Sequence, residues 1–169
     1  MTVEMMTVQH TILATELGEL TIVRDGERLT GLYFPHHWYR PGPETFGPRT
    51  GAGFGAATSQ LAEYLGGART AFDLPLLPRG SEFQLRVWDL IAQIPYGQTA
   101  SYGELARILG GPQTAQEVGA AVGRNPLSIL IPCHRVVGSD GKLTGYAGGL
   151  KRKQWLLELE RAPVAVPLW

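Results

Sequence analysis

The chain has 169 residues, 44% hydrophobic and 18% charged, and its 15 basic and 15 acidic side chains cancel to zero net charge. That length suits one ordinary domain or two small ones, and that apolar share supports a core and excludes a disordered chain. A single cysteine excludes an internal disulfide and a cysteine-rich zinc site, which fits a reducing cytoplasm. No basic stretch followed by an apolar run opens the sequence, so no signal peptide is expected, and no segment reaches the length of a membrane span.

The elements follow in chain order. Thr11–Ala14, Leu20–Val23 and Leu29–Phe34 mix β-branched and apolar residues. Turns at Leu17-Gly18-Glu19 and Asp25-Gly26 separate them, so a three-strand antiparallel meander is expected. His36 and His37, with His10, suggest a metal, but no cysteine or carboxylate stands at ligand spacing and no metal is expected. Residues 35–55 are rich in proline and glycine and read as a loop. Residues 56–65 read as a helix with Leu61, Tyr64 and Leu65 on one face, ended by Gly66-Gly67. A proline-broken linker over 68–80 divides the chain into a structural part, 1–78, and a second part, 79–169.

In the second part Ser81 is a candidate cap for a helix carrying Phe83, Val87, Trp88, Leu90, Ile91 and Ile94. Two capping boxes follow: Ser101 with Glu104, and Thr114 with Glu117. Two short capped helices joined at Gly110-Gly111-Pro112 read as a helix-turn-helix. The second is small-sided (Ala115, Gly119, Ala120, Ala121), which suits close packing on another helix or close approach to a nucleic-acid backbone. Thr144–Gly149 is a glycine-rich loop without the lysine arrangement of a phosphate loop. A last helix is expected from about Leu150 to Glu160, with Trp155, Leu156 and Leu159 on its apolar side and Pro163 ending it. The sum is an α+β fold: a small antiparallel sheet with a helix, then a mostly helical region holding the helix-turn-helix and the cysteine.

Charge is unevenly spread along these elements. Residues 1–100 carry 7 basic and 10 acidic side chains, 101–155 carry 7 and 3, and 156–169 carry 1 and 2. The basic excess accompanies Cys133, as a polyanion partner would require, though regional differences of this size are common.

Cys133 stands in Ser128-Ile129-Leu130-Ile131-Pro132-Cys133-His134-Arg135-Val136. Ile129–Ile131 reads as a short buried strand or extended segment, which Pro132 stiffens. The cysteine suits core packing, or a nucleophile whose thiolate is favoured by basic neighbours. His134 is its neighbour in sequence. In extended backbone the two side chains point apart, so a water bridge is easier than a direct bond. A base needs a third group to orient it. Glu160 and Asn125 are candidates, and each also reads as an ordinary helix-end or turn residue.

Ile131–Val136, with Phe83-Gln84, Val87-Trp88, Ile94–Glu104, Arg124-Asn125-Pro126, Gly141–Gly149 and Trp155–Glu160 in this order and spacing, resembles the O6-alkylguanine-DNA alkyltransferase family. The likeness is strong over 81–160 and looser before it. It implies DNA repair by direct reversal. An alkyl group passes from O6 of guanine, and from O4-alkylthymine, to Cys133, once per protein molecule and without a cofactor. It implies a helix-turn-helix in the minor groove and a base flipped out of the duplex, because O6 cannot be attacked inside the stack.

In that resemblance His134 holds the thiolate through water, Glu160 orients His134, Asn125 fixes the turn, and Tyr102 helps protonate the guanine. Tyr146, Ala147 and Gly148 form the loop beside the base. The carbonyls of Cys133 and Val136 read its exocyclic amine. Thr114, Ala115, Gln116, Arg124 and Arg135 are expected at the DNA. The expected partner is double-stranded DNA carrying alkylated guanine, with no membrane and no obligate protein partner, the protein acting as a monomer. One departure stands out: Gln116 occupies the position where the family has an arginine that fills the gap left by the flipped nucleotide.

Non-catalytic lesion-binding relatives of this family replace the cysteine with tryptophan, and Cys133 is intact. A helix-turn-helix regulator would leave Cys133, His134 and Glu160 unexplained. A cysteine hydrolase would need a base reaching Cys133 directly.

Overall fold

A computed structural model describes residues 7–111, 115–138, 141, 143 and 145–165, with side chains of the last helix described as far as Arg161. Thr114 lies outside these residues, and so does the expected second capping box that it would begin.

The meander forms as β1 (Val8–Thr15), β2 (Gly18–Asp25) and β3 (Arg28–Tyr33), antiparallel in the order β1-β2-β3, with the first two strands longer than expected and the third shifted back by one residue. The central strand is covered on both faces. Leu20 and Ile22 enter the main core, while Val23 packs with Tyr33 and Phe46 in a small cluster. The 68–80 segment is not a free linker. Leu29 N donates to Pro75 O and Leu77 N donates to Leu29 O, both at 2.8 Å, which covers the β3 edge.

Five α-helices are found among the described residues: α1 (Gly55–Leu65), α2 (Glu82–Ile91), α3 (Tyr102–Leu109), α4 (Ala115–Gly123) and α5 (Leu150–Ala165). Reciprocal capping boxes start α2, from Ser81 and Gln84, and α3, from Ser101 and Glu104. The last helix passes the expected stop at Pro163 and reaches Ala165. Proline has no N–H for the Leu159 carbonyl, and the Tyr96 hydroxyl donates to that carbonyl instead, at 3.4 Å.

One contiguous core spans both halves of the chain. Leu20, Leu32, Phe34 and Tyr64 pack in the same cluster as Trp88, Val118, Leu127 and Leu156. Leu32 N donates to Pro126 O at 2.8 Å, which ties the sheet to the segment leading to Cys133. The Trp88 indole donates to Ala121 O at 2.8 Å and anchors α4 on α2. A two-residue parallel pair, β4 (Ala100–Ser101) with β5 (Val136–Val137), joins the start of α3 to the residues after Cys133. No helix among the described residues is long and apolar enough to cross a membrane.

Candidate active site

Ile129–Ile131 is buried as expected, but it is not extended. Ile129 has φ +71°, a left-handed value that a β-branched residue rarely adopts. Leu130 N donates to Ser128 O at 2.8 Å across it, a γ-turn of the strained hand. Cys133 N donates to Ile131 O at 2.7 Å across Pro132, whose φ −79° and ψ 65° make the favoured, inverse γ-turn. Two tight turns in succession therefore replace the expected strand. Asn125 holds them, since its Nδ2 donates to Ile131 O at 2.8 Å and its Oδ1 accepts from Leu127 N at 3.0 Å. Strain at such a residue costs on the order of 1–3 kcal/mol and persists where the surroundings dictate it.

Cys133, His134 and Arg135 form a 3₁₀ turn, so the side chains of Cys133 and His134 are not on opposite faces of a strand. His134 is wholly buried, and its Nε2 lies 2.7 Å from Glu160 Oε2. Glu160, 1% exposed, also accepts from Arg135 Nε at 2.8 Å, from Arg135 Nη2 at 2.9 Å, from Gly97 N at 3.3 Å and from the Tyr64 hydroxyl. Burial alone would push the Glu160 carboxyl up, but hydrogen bonds from His134, Arg135 and Tyr64 hold it at about 2. Burial pushes His134 down and outweighs its bond to Glu160, so the imidazole is neutral. A neutral ring beside an ionised carboxylate carries its proton on Nε2 and leaves a lone pair on Nδ1.

Among the described residues that Nδ1 has no hydrogen-bond partner, while the Ser128 hydroxyl lies against both the Cys133 thiol and the Tyr146 hydroxyl. Ser128 and Tyr146 thus stand beside Cys133, and His134 follows it in the same turn. An unmet buried nitrogen such as Nδ1 costs roughly 1–3 kcal/mol unless a ligand or water meets it, which marks a place for something polar. Cys133 itself is 3% exposed. Burial raises its thiol, opposed by Asn125, the Lys153 ammonium and Ser128. Lys153 is fully buried, its Nζ donates to Val136 O at 2.6 Å, and burial lowers it to about 8.

Cys133 lines a cavity of about 180 Å³ with Tyr102, Gly119, Gly145, Tyr146 and Trp38. Gly148 must be glycine, because a Cβ there would come within 2.4 Å of the Phe34 ring. A larger groove of about 600 Å³ lies between Glu16–Gly18 and the start of α5, and it holds none of this cluster. No group of metal-ligating side chains is found among the described residues, and His37 instead accepts from Phe34 N at 3.3 Å.

Two expectations change. Arg135 is not turned toward a DNA surface: it is 7% exposed, bonded to Glu160 and donating to Ile94 O at 2.6 Å. The Val136 carbonyl already accepts from Lys153, which leaves one lone pair for another donor. Ala115, Gln116 and Arg124 are exposed, and Arg124 lies 3.7 Å over the Tyr39 ring. Much of the basic excess near Cys133 is therefore used internally, by Arg135, Arg152 and Lys153.

From the sequence Tyr64 reads only as part of a helix face, and Ser128, Lys153 and Trp38 carry no role at the site. For Lys153 a signal existed. Lys153, Leu156, Leu157 and Glu160 recur at helical spacing and are the buried stripe of α5, while Trp155 and Leu159 lie at its edge. Two opposite charges on an apolar stripe are a functional mark.

Comparison with known proteins agrees with this site. The DNA-binding domain of the 6-O-methylguanine DNA methyltransferases matches residues 82–162, and their ribonuclease-like domain matches 8–78. The methylated-DNA–protein-cysteine methyltransferase of Mycobacterium tuberculosis is 45% identical over 164 residues, 96% of this chain and 99% of the relative. That of Haemophilus influenzae is 38% identical over 94% of this chain and 89% of its own length. The crystal structure of Mycobacterium tuberculosis OGT in complex with DNA superposes with a TM-score of 0.87 at 45% identity, covering 91% of this chain and 93% of that one. With nearly its whole length matched by both domains of one family, the chain belongs to the 6-O-methylguanine DNA methyltransferases.

Proposed function

We propose that Cys133 takes the alkyl group from O6 of guanine in duplex DNA. The observation that carries this is the set of contacts beginning one residue past the thiol: His134 Nε2 on Glu160, Glu160 held anionic by Arg135 and Tyr64, and a His134 Nδ1 without a partner among the described residues. His134 draws the thiol proton through a water, and the Glu160 carboxylate stabilises the imidazolium that forms. The sulfur attacks the alkyl carbon in line. An S–C bond forms, the C–O6 bond breaks, and its electron pair goes to O6. The proton lost by the thiol ends on the guanine, delivered with help from Tyr102, so atoms and charge balance without a cofactor.

The base enters the cavity flipped from the stack, with Tyr146, Ala147 and Gly148 beside it. The α3–α4 pair lies in the minor groove, with Ala115, Gln116 and Arg124 toward the backbone, and O4-alkylthymine is a second substrate. A thioether is not hydrolysed under cell conditions, so each molecule acts once. Residues 79–169 carry the DNA contacts and the reacting sulfur, while 1–78 contribute Tyr64 behind Glu160. The protein acts as a cytoplasmic monomer, where one free thiol stays reduced.

The test is incubation with a duplex carrying O6-methylguanine, followed by peptide mapping by mass spectrometry. A methyl group on the Cys133 peptide is expected, and none in Cys133→Ala. Methyl transfer to another residue, or no transfer, overturns the proposal.

A further inference from the structure

Two hollows meet at one residue. The Cys133 cavity of about 180 Å³ and a neighbour of about 230 Å³, reaching Arg79, Gln84 and Arg124, share Trp38 and no other lining residue among those described. Trp38 comes from the loop after β3, in the first half of the chain. Its backbone N–H donates to Ala147 O at 2.9 Å, which ties it to the loop carrying Tyr146. The edge of its indole lies on Gly145, where a Cβ would come within 3.2 Å of two ring carbons. The next residue, Tyr39, has φ +59° and lies under the Arg124 guanidinium, so the turn is fixed from its other side. Even so, Trp38 is 54% exposed, a large aromatic held at the lip of a cavity rather than drawn into the core.

Volume decides what this placement does. Sites that bury drug-sized molecules begin at roughly 300 Å³, so a cavity of about 180 Å³ takes a purine with a small substituent and little more. We propose that Trp38 is the specificity-determining wall of this pocket, closing it against the neighbouring hollow and selecting small O6-alkyl groups. The inference rests on the alkyl transfer proposed above and leaves its chemistry unchanged: S–C forms, C–O6 breaks, and the thiol proton passes to the guanine. Shortening Trp38 joins the two hollows and gives a bulky alkyl group room to extend.

The test uses the full chain with Trp38→Ala and Trp38→Phe, and the free bases O6-methylguanine and O6-benzylguanine, so that contacts to DNA do not enter. Rates of alkylation of Cys133 are followed by intact mass. The benzyl-to-methyl rate ratio is expected to rise by about tenfold or more in Trp38→Ala, with Trp38→Phe between it and wild type. A ratio that stays within about twofold of wild type in both variants, while wild type transfers methyl, overturns the wall. No methyl transfer by wild type, from free base or duplex, overturns the proposed reaction and the wall with it. If Trp38→Ala does not fold by circular dichroism, Trp38→Phe, which keeps a ring over Gly145, decides on the same ratio.

Discussion

Tyr64 of α1 donates its hydroxyl hydrogen to Glu160 of α5, a pair 96 residues apart in sequence. The same hydroxyl lies 3.4 Å from His134 Nε2, so the sheet-bearing half of the chain reaches the group behind the thiol. Tyr64→Phe removes a donor to a buried carboxylate, which is worth about 1.5–3 kcal/mol. Urea unfolding should show a loss of that size, with the slope of the transition unchanged. A loss below about 0.5 kcal/mol would mean the bond is not formed in solution.

Acid should unfold this protein in two overlapping stages. The buried His134 has a pKa below its ordinary 6.5, so the unfolded chain takes a proton first and stability falls as pH drops below 6.5. Glu160 is held at about 2 against 4.5 when unfolded, so its contribution is complete above about 4.5 and is lost as pH falls toward 2. That contribution is on the order of 3 kcal/mol. Glu160→Gln should flatten the lower stage and also lower stability near neutrality, since it leaves Arg135 buried without its anion. Equal acid slopes in wild type and variant, measured as unfolding free energy from pH 2 to 5, would count against this linkage.

Cys133 in the DNA-free protein should behave as a sluggish thiol. Its burial raises the pKa above 9.0, and the groups that oppose this do not cancel it. The rate of alkylation by iodoacetamide should therefore climb through alkaline pH, with no plateau near neutrality. A midpoint below about 7 would show that the basic neighbours prevail over burial.

Burial was largely legible in the sequence around the site, while direction and distance were not. The apolar residues at 129–131 announce a buried segment, but alternation of type cannot show a chain folded on itself twice by Pro132 and Asn125. Arg135 beside Cys133 and His134 carries the sign of charge that suits a phosphate, and only the fold shows that a carboxylate from α5 meets it first. Tyr64 is one apolar position of a helix like any other until α1 is docked against α5. The place of Asn125 in a turn was readable from Arg124-Asn125-Pro126, while its hold on the neighbouring backbone was implied only by the family resemblance.

Gln116 is exposed on the first turn of α4, where the resemblance drawn from the sequence implies an arginine. Gln116→Arg should raise duplex affinity and the duplex repair rate, and steepen the salt dependence of binding by about one unit of log K per log salt. Reaction with free O6-methylguanine should not change. Unaltered duplex affinity and rate would show that Arg124 or another group already supplies what an arginine there would add.

Ser101 takes part in two structures at once. It caps α3 through Glu104 N at 3.0 Å, and it pairs in register with Val137, four residues past Cys133. The first helix of the pair and the reactive turn are therefore spliced by main-chain hydrogen bonds, without a flexible joint between them. Side chains on the outer face of α4, Gln116 among them, can be exchanged without shifting the sulfur relative to the scaffold. The helix pair proposed to hold DNA and the sulfur proposed to react can then be tuned separately, by selection or at the bench.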